Sequence, residues 1–576
     1  MDSYKKYIPE EVNNLPLMLK NSARRFPGRP SLTSVDGTAY TYQELDSATQ
    51  HVAVMLKSAG VGKGNNVAIL AENSPHWGIA YFGTLTCGAT TVPILPDFRA
   101  VEVRSILEHA GVKTVFISGK LISRLNEGLP PTVEMVINTD DFQLLDISKG
   151  VVSEPEGTPG ALTKLHEPTK IPEGEKGFYE AEGEELASII YTSGTTGRSK
   201  GVMLSHTNLL SNAVQSGTVH QVLPEDKFLS VLPLAHTYEC TIGMMVTLLN
   251  GAMVQYIDRA PTAAYLGPVL KKLQPTTMLT VPLIMEKIYR ATIKPKLTKS
   301  APLRFLMKLG PTRKLLSKAA AKKLMSFFGG QIRFFGIGGA PLAPDVEKFL
   351  LDGNFPYAIG YGLTETSPML AGFNPENAVF HSVGKVMEGV RMRIDNPDPV
   401  TGEGEIVVKG SNVMKGYYKD EEKTREVFTD DGYFRTGDLG IIDEKGIIYI
   451  KGRSKNMILG PNGENIYPEE IEAVINSRTN VSESLVMEYK GKLTARVHLK
   501  MELIEDQLHH LKENATEYKK QMQEKADEAL EELMIQVNQQ VARNSKLQSM
   551  ILQVQPFEKT ATHKIKRFLY QQAATA

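Results

Sequence analysis

Residues Tyr191 to Gly201 read YTSGTTGRSKG. Gly194 and Gly197 let the backbone take positive φ and approach a ligand closely. Thr192, Ser193, Thr195, Thr196 and Ser199 add hydroxyl donors, and Lys200 closes the run with a cation. A loop rich in N–H and O–H donors that ends on an ammonium suits a polyphosphate. Its spacing is not that of the Walker loop, where Gly is followed by four residues and Gly-Lys-Ser/Thr. A flexible linker is the plainer alternative, but linkers seldom follow directly on an apolar run such as ASII. Two carboxylates stand out further along. Glu365, in GYGLTETSP, is a hard oxygen ligand of the kind that magnesium takes together with phosphate oxygens. Asp438, in YFRTGDLG, can accept two hydrogen bonds from a cis-diol, although Asp in such a turn is common by itself. Lys564 lies near Lys566 and Arg567, where a solvated basic tail competes with a functional reading. His236, in LPLAHTYE, is either a satisfied core histidine or a site group.

These residues need a scaffold, and the sequence predicts an α/β one. YQELDSATQHVAVMLKSAG has helical spacing and stops at Gly60; NVAIL then reads as a strand, WGIAYFGTLTCGAT as a helix and TVPIL as a strand. VEVRSILEHAG before KTVFIS repeats the rhythm, which implies a largely parallel sheet. Residues 149–186, rich in Gly, Pro and Glu, read as an irregular excursion. From about residue 390 short strands separated by turns take over: VRMRID, GEIVVKG and IIDEKGIIYI. We expect a large lobe over 1–453, with a β-rich subdomain at 390–450, and a small α+β domain over 454–576. Within the latter, 502–545 carries apolar residues at helical spacing, as a long helix or helix pair that packs on its own domain or meets a partner.

Composition narrows the function classes. The 576 residues include 65 Lys+Arg and 65 Asp+Glu, so a nucleic-acid binder, normally basic, loses weight. A hydrophobic fraction of 41% supports a large core and excludes global disorder. Two cysteines, Cys87 and Cys240, provide neither a disulfide framework nor a thiolate cluster, which fits a reducing cytoplasm. No run reaches the roughly 18 apolar residues of a membrane span, and MDSYKKYIPEEV lacks a signal-peptide core. The most apolar stretch, Thr241–Val254, contains Asn250 and Gly251 and reads as a buried helix and turn. One segment is strongly biased: no acidic residue lies between Glu286 and Asp345, whereas 294–323 carries ten Lys and Arg. This is either a solvated helical face or a basic amphipathic surface facing anionic lipid at the inner face of a membrane.

TSGTTGRSKG resembles the phosphate-binding signature of the adenylate-forming superfamily, which includes acyl-CoA synthetases. Further matches in the expected order carry the resemblance from about residue 10 to residue 567. In FFGIGGAP, the resemblance implies that Gly338, Gly339 and Ala340 lie against adenine; in GYGLTETSP, that the Tyr361 ring stacks on it and Gly362 belongs to the ATP site. It implies α-phosphate contact from Thr364 and magnesium ligation by Glu365. Asp438 would take the ribose hydroxyls, with Arg453 reaching ribose or phosphate. Lys455, in GRSKNMI, falls at the family's hinge. Gly460, Gly463, Glu464 and Asn465, in GPNGENIYPEEIE, resemble the turn lining the thiol tunnel. Lys564 corresponds to the lysine that serves adenylation, and His236 to a position near the acyl carboxylate. Ile359 stands where the family often has a polar residue, and His563 where many members have Gly before the lysine.

The implied reaction consumes ATP with magnesium, forms an acyl-adenylate, then transfers the acyl group to a thiol and releases AMP. VPLIMEKIYR followed by a basic insertion is similar to long-chain fatty acyl-CoA synthetases, which makes CoA the expected thiol. An acyl-carrier-protein ligase has the same first half, and 294–323 would equally suit an acidic carrier. A non-catalytic relative is disfavoured because Lys200, Glu365, Asp438, Arg453 and Lys564 are all present.

Overall fold

The computed structural model describes residues 3–148, 151–153, 178–192, 199–259, 261–460, 464–501, 515–560 and 564–571. Helix Tyr42–Ser58 starts at a reciprocal cap. The Glu44 amide donates to Thr41 Oγ1 at 3.2 Å, and the Thr41 amide donates to the Glu44 carboxylate at 2.8 Å. Its apolar stripe, Leu45, Ala48, Val52 and Leu56, is buried. Helix Pro75–Thr86 shows no polar face because it has none to show: it contacts strands of two different sheets and nearly all of it is buried.

A nine-stranded sheet holds six parallel strands in the order Tyr357–Gly362, Phe334–Ile337, Thr277–Thr280, Lys227–Ser230, Met253–Tyr256 and Pro30–Ser34. A seven-stranded sheet has parallel Met135–Asn138, Val112–Ile117, Asn66–Leu70, Thr90–Pro93 and Leu186–Thr192, then antiparallel Lys200–Ser205 and Gly416–Tyr417. A four-stranded antiparallel sheet follows, built from Arg391–Asp395, Gly404–Lys409, Phe434–Ile442 and Ile448–Arg453. The predicted α/β rhythm and the later β-rich stretch are both present.

Beyond residue 465 the core is separate. Helix Pro468–Asn476 packs on a three-stranded sheet of Val481–Tyr489, Lys492–Leu499 and Ser549–Leu552. The 502–545 segment contributes one described helix, Ala515–Asn538. It buries Ala526, Leu530, Leu533 and Val537 in that same core, so packing on its own neighbours is what its apolar stripe does. Residues 502–514 lie outside the described set. The stretch Thr241–Val254 is a buried helix and turn as expected, but Met253 and Val254 open a strand. Among the described residues no helix is long and apolar enough to cross a membrane.

Candidate active site

The parallel strands of the large sheet set out the site at their C-terminal ends, where such sheets leave backbone groups and loops free to bind. Strand Phe334–Ile337 runs into Gly338, whose amide donates to the Thr280 carbonyl at 3.1 Å. Gly339 has φ +85°, and a Cβ on Gly338 would meet the Tyr238 ring at 3.1–3.3 Å. Gly339 and Ala340 are exposed beside this turn.

One strand over, Tyr357–Gly362 delivers Tyr361 and Gly362. A side chain is impossible at Gly362 without backbone movement, because a Cβ would lie 1.9 Å from the Pro368 carbonyl oxygen. Tyr361 donates its hydroxyl to Asp438 Oδ2 at 2.8 Å, while Arg453 Nε lies 2.9 Å from Asp438 Oδ1. Asp438 and Arg453 are direct partners across the antiparallel ladder of Phe434–Ile442 and Ile448–Arg453. Burial raises the Asp438 pKa, and Arg453, Tyr361 and Lys564 oppose that rise. Each carboxylate oxygen thus has one protein donor and keeps lone-pair capacity for a diol.

The YTSGTTGRSKG motif begins and ends on the two antiparallel strands of a hairpin, Leu186–Thr192 and Lys200–Ser205. Thr192 pairs with Lys200, and the register runs back to Leu186 and Ser205. Ser193, Gly194, Thr195, Thr196 and Gly197 lie outside the described residues, so the hairpin fixes the loop's two ends, Thr192 and Lys200. Lys200 Nζ sits 5.1 Å from the centre of the Tyr417 ring, and Tyr417 donates its hydroxyl to Glu365 Oε1 at 3.0 Å. Tyr417 comes from the strand that pairs with Val202 and Met203. Desolvation lowers the Lys200 pKa, with Lys423 and Lys455 adding to the effect. Sequence reasoning missed Tyr417; nothing in MKGYYKD distinguishes it before the sheet is known.

Thr364 and Glu365 form a short 3₁₀ turn directly after Leu363. Among the described residues no three His, Cys, Asp or Glu side chains converge as a metal cluster. A divalent ion at Glu365 would therefore take one protein carboxylate and draw its remaining oxygens from phosphate and water, the habit of magnesium. The donor set fits that ion.

Lys564 is brought to the same place from the far end of the chain. It is exposed, yet the surrounding walls desolvate its ammonium and lower its pKa. Arg453 adds to that effect, and Asp438 and Glu365 oppose it. His236, at the start of the helical segment Tyr238–Met245, has its pKa pushed down to about 4 by burial, with Lys564 contributing. The described set thus gathers Lys200, His236, Tyr361, Glu365, Asp438, Arg453 and Lys564. The last segment is anchored by Arg567, which sequence reasoning passed over as part of a basic tail. Its guanidinium pairs with Glu472 and donates to the Val486 carbonyl at 3.2 Å. Lys455 is exposed in the turn after Arg453. The Gly460 amide donates to the Glu464 carbonyl at 2.8 Å, next to the pairing of Leu459 with Asn465; Gly463 lies outside the described residues.

Residues 19–418 match the family model of the AMP-binding enzymes. The chain belongs to this family. That membership makes it an adenylate-forming enzyme of the acid–thiol ligase class. It is 27% identical to the peroxisomal long chain acyl-CoA synthetase 7 of Arabidopsis thaliana, over 88% of this chain and 80% of that protein. It is 28% identical to the long-chain-fatty-acid–CoA ligase heimdall of Drosophila melanogaster, over 86% and 78%. Among solved structures, ATP-bound MatB from Rhodopseudomonas palustris matches with a TM-score of 0.71 at 25% identity, covering 97% of this chain and 99% of that one.

Proposed function

We propose that this protein activates a long-chain fatty acid with ATP and transfers the acyl group to the thiol of CoA. The observation that carries the reading is the Asp438 carboxylate held between Tyr361 at 2.8 Å and Arg453 at 2.9 Å, with the charges of Asp438 and Glu365 acting on the Lys564 ammonium. The curated relatives named as long-chain acyl-CoA synthetases supply the acid and the thiol.

In the first half-reaction the substrate carboxylate attacks the α-phosphorus of ATP and pyrophosphate leaves. Asp438 accepts both ribose hydroxyls, and Tyr361 and Arg453 hold the carboxylate in place for them. Gly338, Gly339 and Ala340 flank the adenine. The hydroxyls and amides of Thr192–Gly197, with Lys200, hold the departing phosphates. Lys564 and Thr364 offset the negative charge that grows at the α-phosphate, and neutral His236 stands beside the acid. Glu365 would hold magnesium, which supplies Lewis-acid charge neutralisation when bound.

In the second half-reaction a thiol attacks the acyl carbonyl and AMP leaves. Lys564 blocks no thiol once the segment after Lys455 swings away and presents Gly460, Gly463, Glu464 and Asn465 instead. This divides the chain at 453/454 into a large lobe and a mobile small domain. An acyl-carrier protein is the alternative thiol, and the enzyme works in the cytoplasm with peripheral contact at the inner membrane face through 294–323.

Pyrophosphate release with Mg-ATP and acids of increasing length, with and without CoA, tests this reading. Turnover that needs both a long-chain acid and CoA supports it. A single burst that CoA does not extend moves the thiol to a carrier protein, and no release with any fatty acid ends the reading.

A further inference from the structure

His236 is carried on a short connection, residues 231–237, between strand Lys227–Ser230 of the nine-stranded sheet and the helical segment Tyr238–Met245. Asn73 reaches this connection from the seven-stranded sheet. It lies three residues beyond strand Asn66–Leu70 and next to Ser74, which caps helix Pro75–Thr86. Its amide nitrogen donates to Ser230 Oγ at 3.0 Å and to the Leu232 carbonyl, and its Oδ1 accepts from the Leu234 amide at 2.8 Å. Both ends of the Asn73 amide group are thus engaged with one stretch of chain.

Glu239 meets the same stretch from the helical segment. Its carboxyl is fully buried and accepts a hydrogen bond from Ser230 Oγ, so the Ser230 hydroxyl relays between Asn73 and Glu239. The carboxyl has room because residue 243, one helical turn on, is glycine. A Cβ there would stand 3.2 Å from the Glu239 carboxyl carbon and 2.8 Å from the Phe228 ring.

The hold passes to His236 through few bonds. Leu234 and Ala235 are buried in two different apolar cores. The His236 amide donates to the Pro233 carbonyl at 3.0 Å, and its carbonyl accepts from the Cys240 amide at 2.9 Å. A carboxyl is unfavourable to bury for packing alone, where an apolar side chain would serve. Burial raises the Glu239 pKa to about 8, against the Ser230 hydroxyl and the amides of Leu232 and Val231. Near neutral pH the group therefore bonds the connection without setting a second anion close to where a carboxylate substrate would lie.

We infer that Asn73 and Glu239 are positioning residues: together they clamp residues 231–235 between the two sheets and so set the His236 ring beside the carboxylate of the acid substrate. The place of the acid rests on the proposed ligase reading; the clamp on His236 does not.

Two readouts on the full chain test this. The first needs no substrate: the His236 ring signal in a proton–carbon correlation spectrum of histidine-labelled protein, assigned by its loss in His236→Ala. It should shift in Asn73→Ala and in Glu239→Leu. It should keep its place in Glu239→Gln, which retains a neutral acceptor for Ser230. Asn73 is only partly buried, so Asn73→Ala decides the matter even where Glu239→Leu does not fold. The second readout is pyrophosphate release with Mg-ATP and a long-chain acid. Asn73→Ala should lower kcat/KM for the acid on the order of 10- to 100-fold, as misplacement of a site group does, and leave the ATP dissociation constant at the parent value. Glu239→Gln should turn over like the parent. In the His236→Ala background Asn73→Ala should add no further loss, because both changes act through one side chain.

An unmoved His236 signal in Asn73→Ala, additive losses in the double variant, or ATP binding weakened in step with the acid overturns the inference. So does a Glu239→Gln variant that displaces the signal as Asn73→Ala does. A His236 signal that moves as expected in a chain that activates no acid keeps the clamp and removes the ligase reading, so the two failures are distinct.

Discussion

Replacing Asp438 by Asn tests the nucleotide site at its most explicit geometry. The carboxylate is 5% exposed, holds Arg453 at 2.9 Å and accepts from Tyr361 at 2.8 Å. Its remaining lone pairs are the proposed acceptors for two ribose hydroxyls. A hydrogen bond to a charged group contributes about 1.5–3 kcal/mol, so two such bonds are worth roughly 3–6 kcal/mol. Asn keeps one carbonyl acceptor and loses the charge, which leaves about half. The expected loss is about 2–3 kcal/mol, or roughly 30- to 150-fold in the ATP dissociation constant. The assay is calorimetric titration of parent and Asp438→Asn with ATP and with its 2′-deoxy and 3′-deoxy analogues. The parent should discriminate against both deoxy forms, and the variant should lose most of that discrimination, because the hydroxyl and the carboxylate are two corners of one thermodynamic cycle. If Asp438→Asn weakens ATP and the deoxy analogues by equal factors, Asp438 acts through Arg453 and Tyr361 and not on the ribose. A change of less than threefold for ATP would refute the assignment.

Lys564→Ala should slow acyl-adenylate formation by about 10²–10³-fold, the typical cost of one charge-stabilising group. Thioester formation from presynthesised acyl-adenylate should persist, and equal loss in both halves would contradict its role. Arg567→Met leaves Glu472 without its ion-pair partner and the Val486 carbonyl without its donor. We expect about 3 kcal/mol lost in the small domain's unfolding together with slower adenylation; an unchanged urea midpoint would count against it. Burial pushes Glu239 from 4.5 to about 8 and Glu347 and Glu472 to about 7. Folded-state pKa values raised in acids mean that the folded chain binds more protons, so their contribution to stability is present at low pH and declines as pH rises from about 4.5 to 8. Each loses up to about 1.4 kcal/mol per pH unit in its window. Glu239→Gln should flatten the urea-midpoint profile between pH 7 and 8, and an unaltered slope there would show that Glu239 is already ionised.

The local elements were legible where one physical pattern dominates. Tyr42–Ser58 carries its apolar stripe and its Gly60 stop in sequence, and NVAIL and KTVFIS are apolar runs of strand length. Sheet membership was not legible, because it is settled by pairings far apart in the chain: Pro30–Ser34 lies beside Met253–Tyr256, and Gly416–Tyr417 beside Lys200–Ser205. The same distance hid Tyr417, which becomes a partner of Glu365 only through that last pairing. Lys200, Glu365 and Asp438 suggest polyphosphate, metal and diol chemistry by their types alone; the other candidate residues rest on the resemblance to the adenylate-forming superfamily. Arg567 was not legible, since a guanidinium in a basic tail looks alike whether it is solvated or clamped on Glu472. The burial of Glu239 also escaped, because its helix opens with a π turn whose facing a regular helical period does not give.

The rung on which Asp438 faces Arg453 has a consequence for custody of the intermediate. Both residues belong to the four-stranded sheet, and the chain reaches Lys455 only two residues after Arg453. On the proposed mechanism a swivel at Lys455 takes Lys564 away from the reaction centre but leaves carboxylate and guanidinium where they were. On that mechanism the water-labile acyl-adenylate never changes hands: it waits at one berth while its attendants are exchanged.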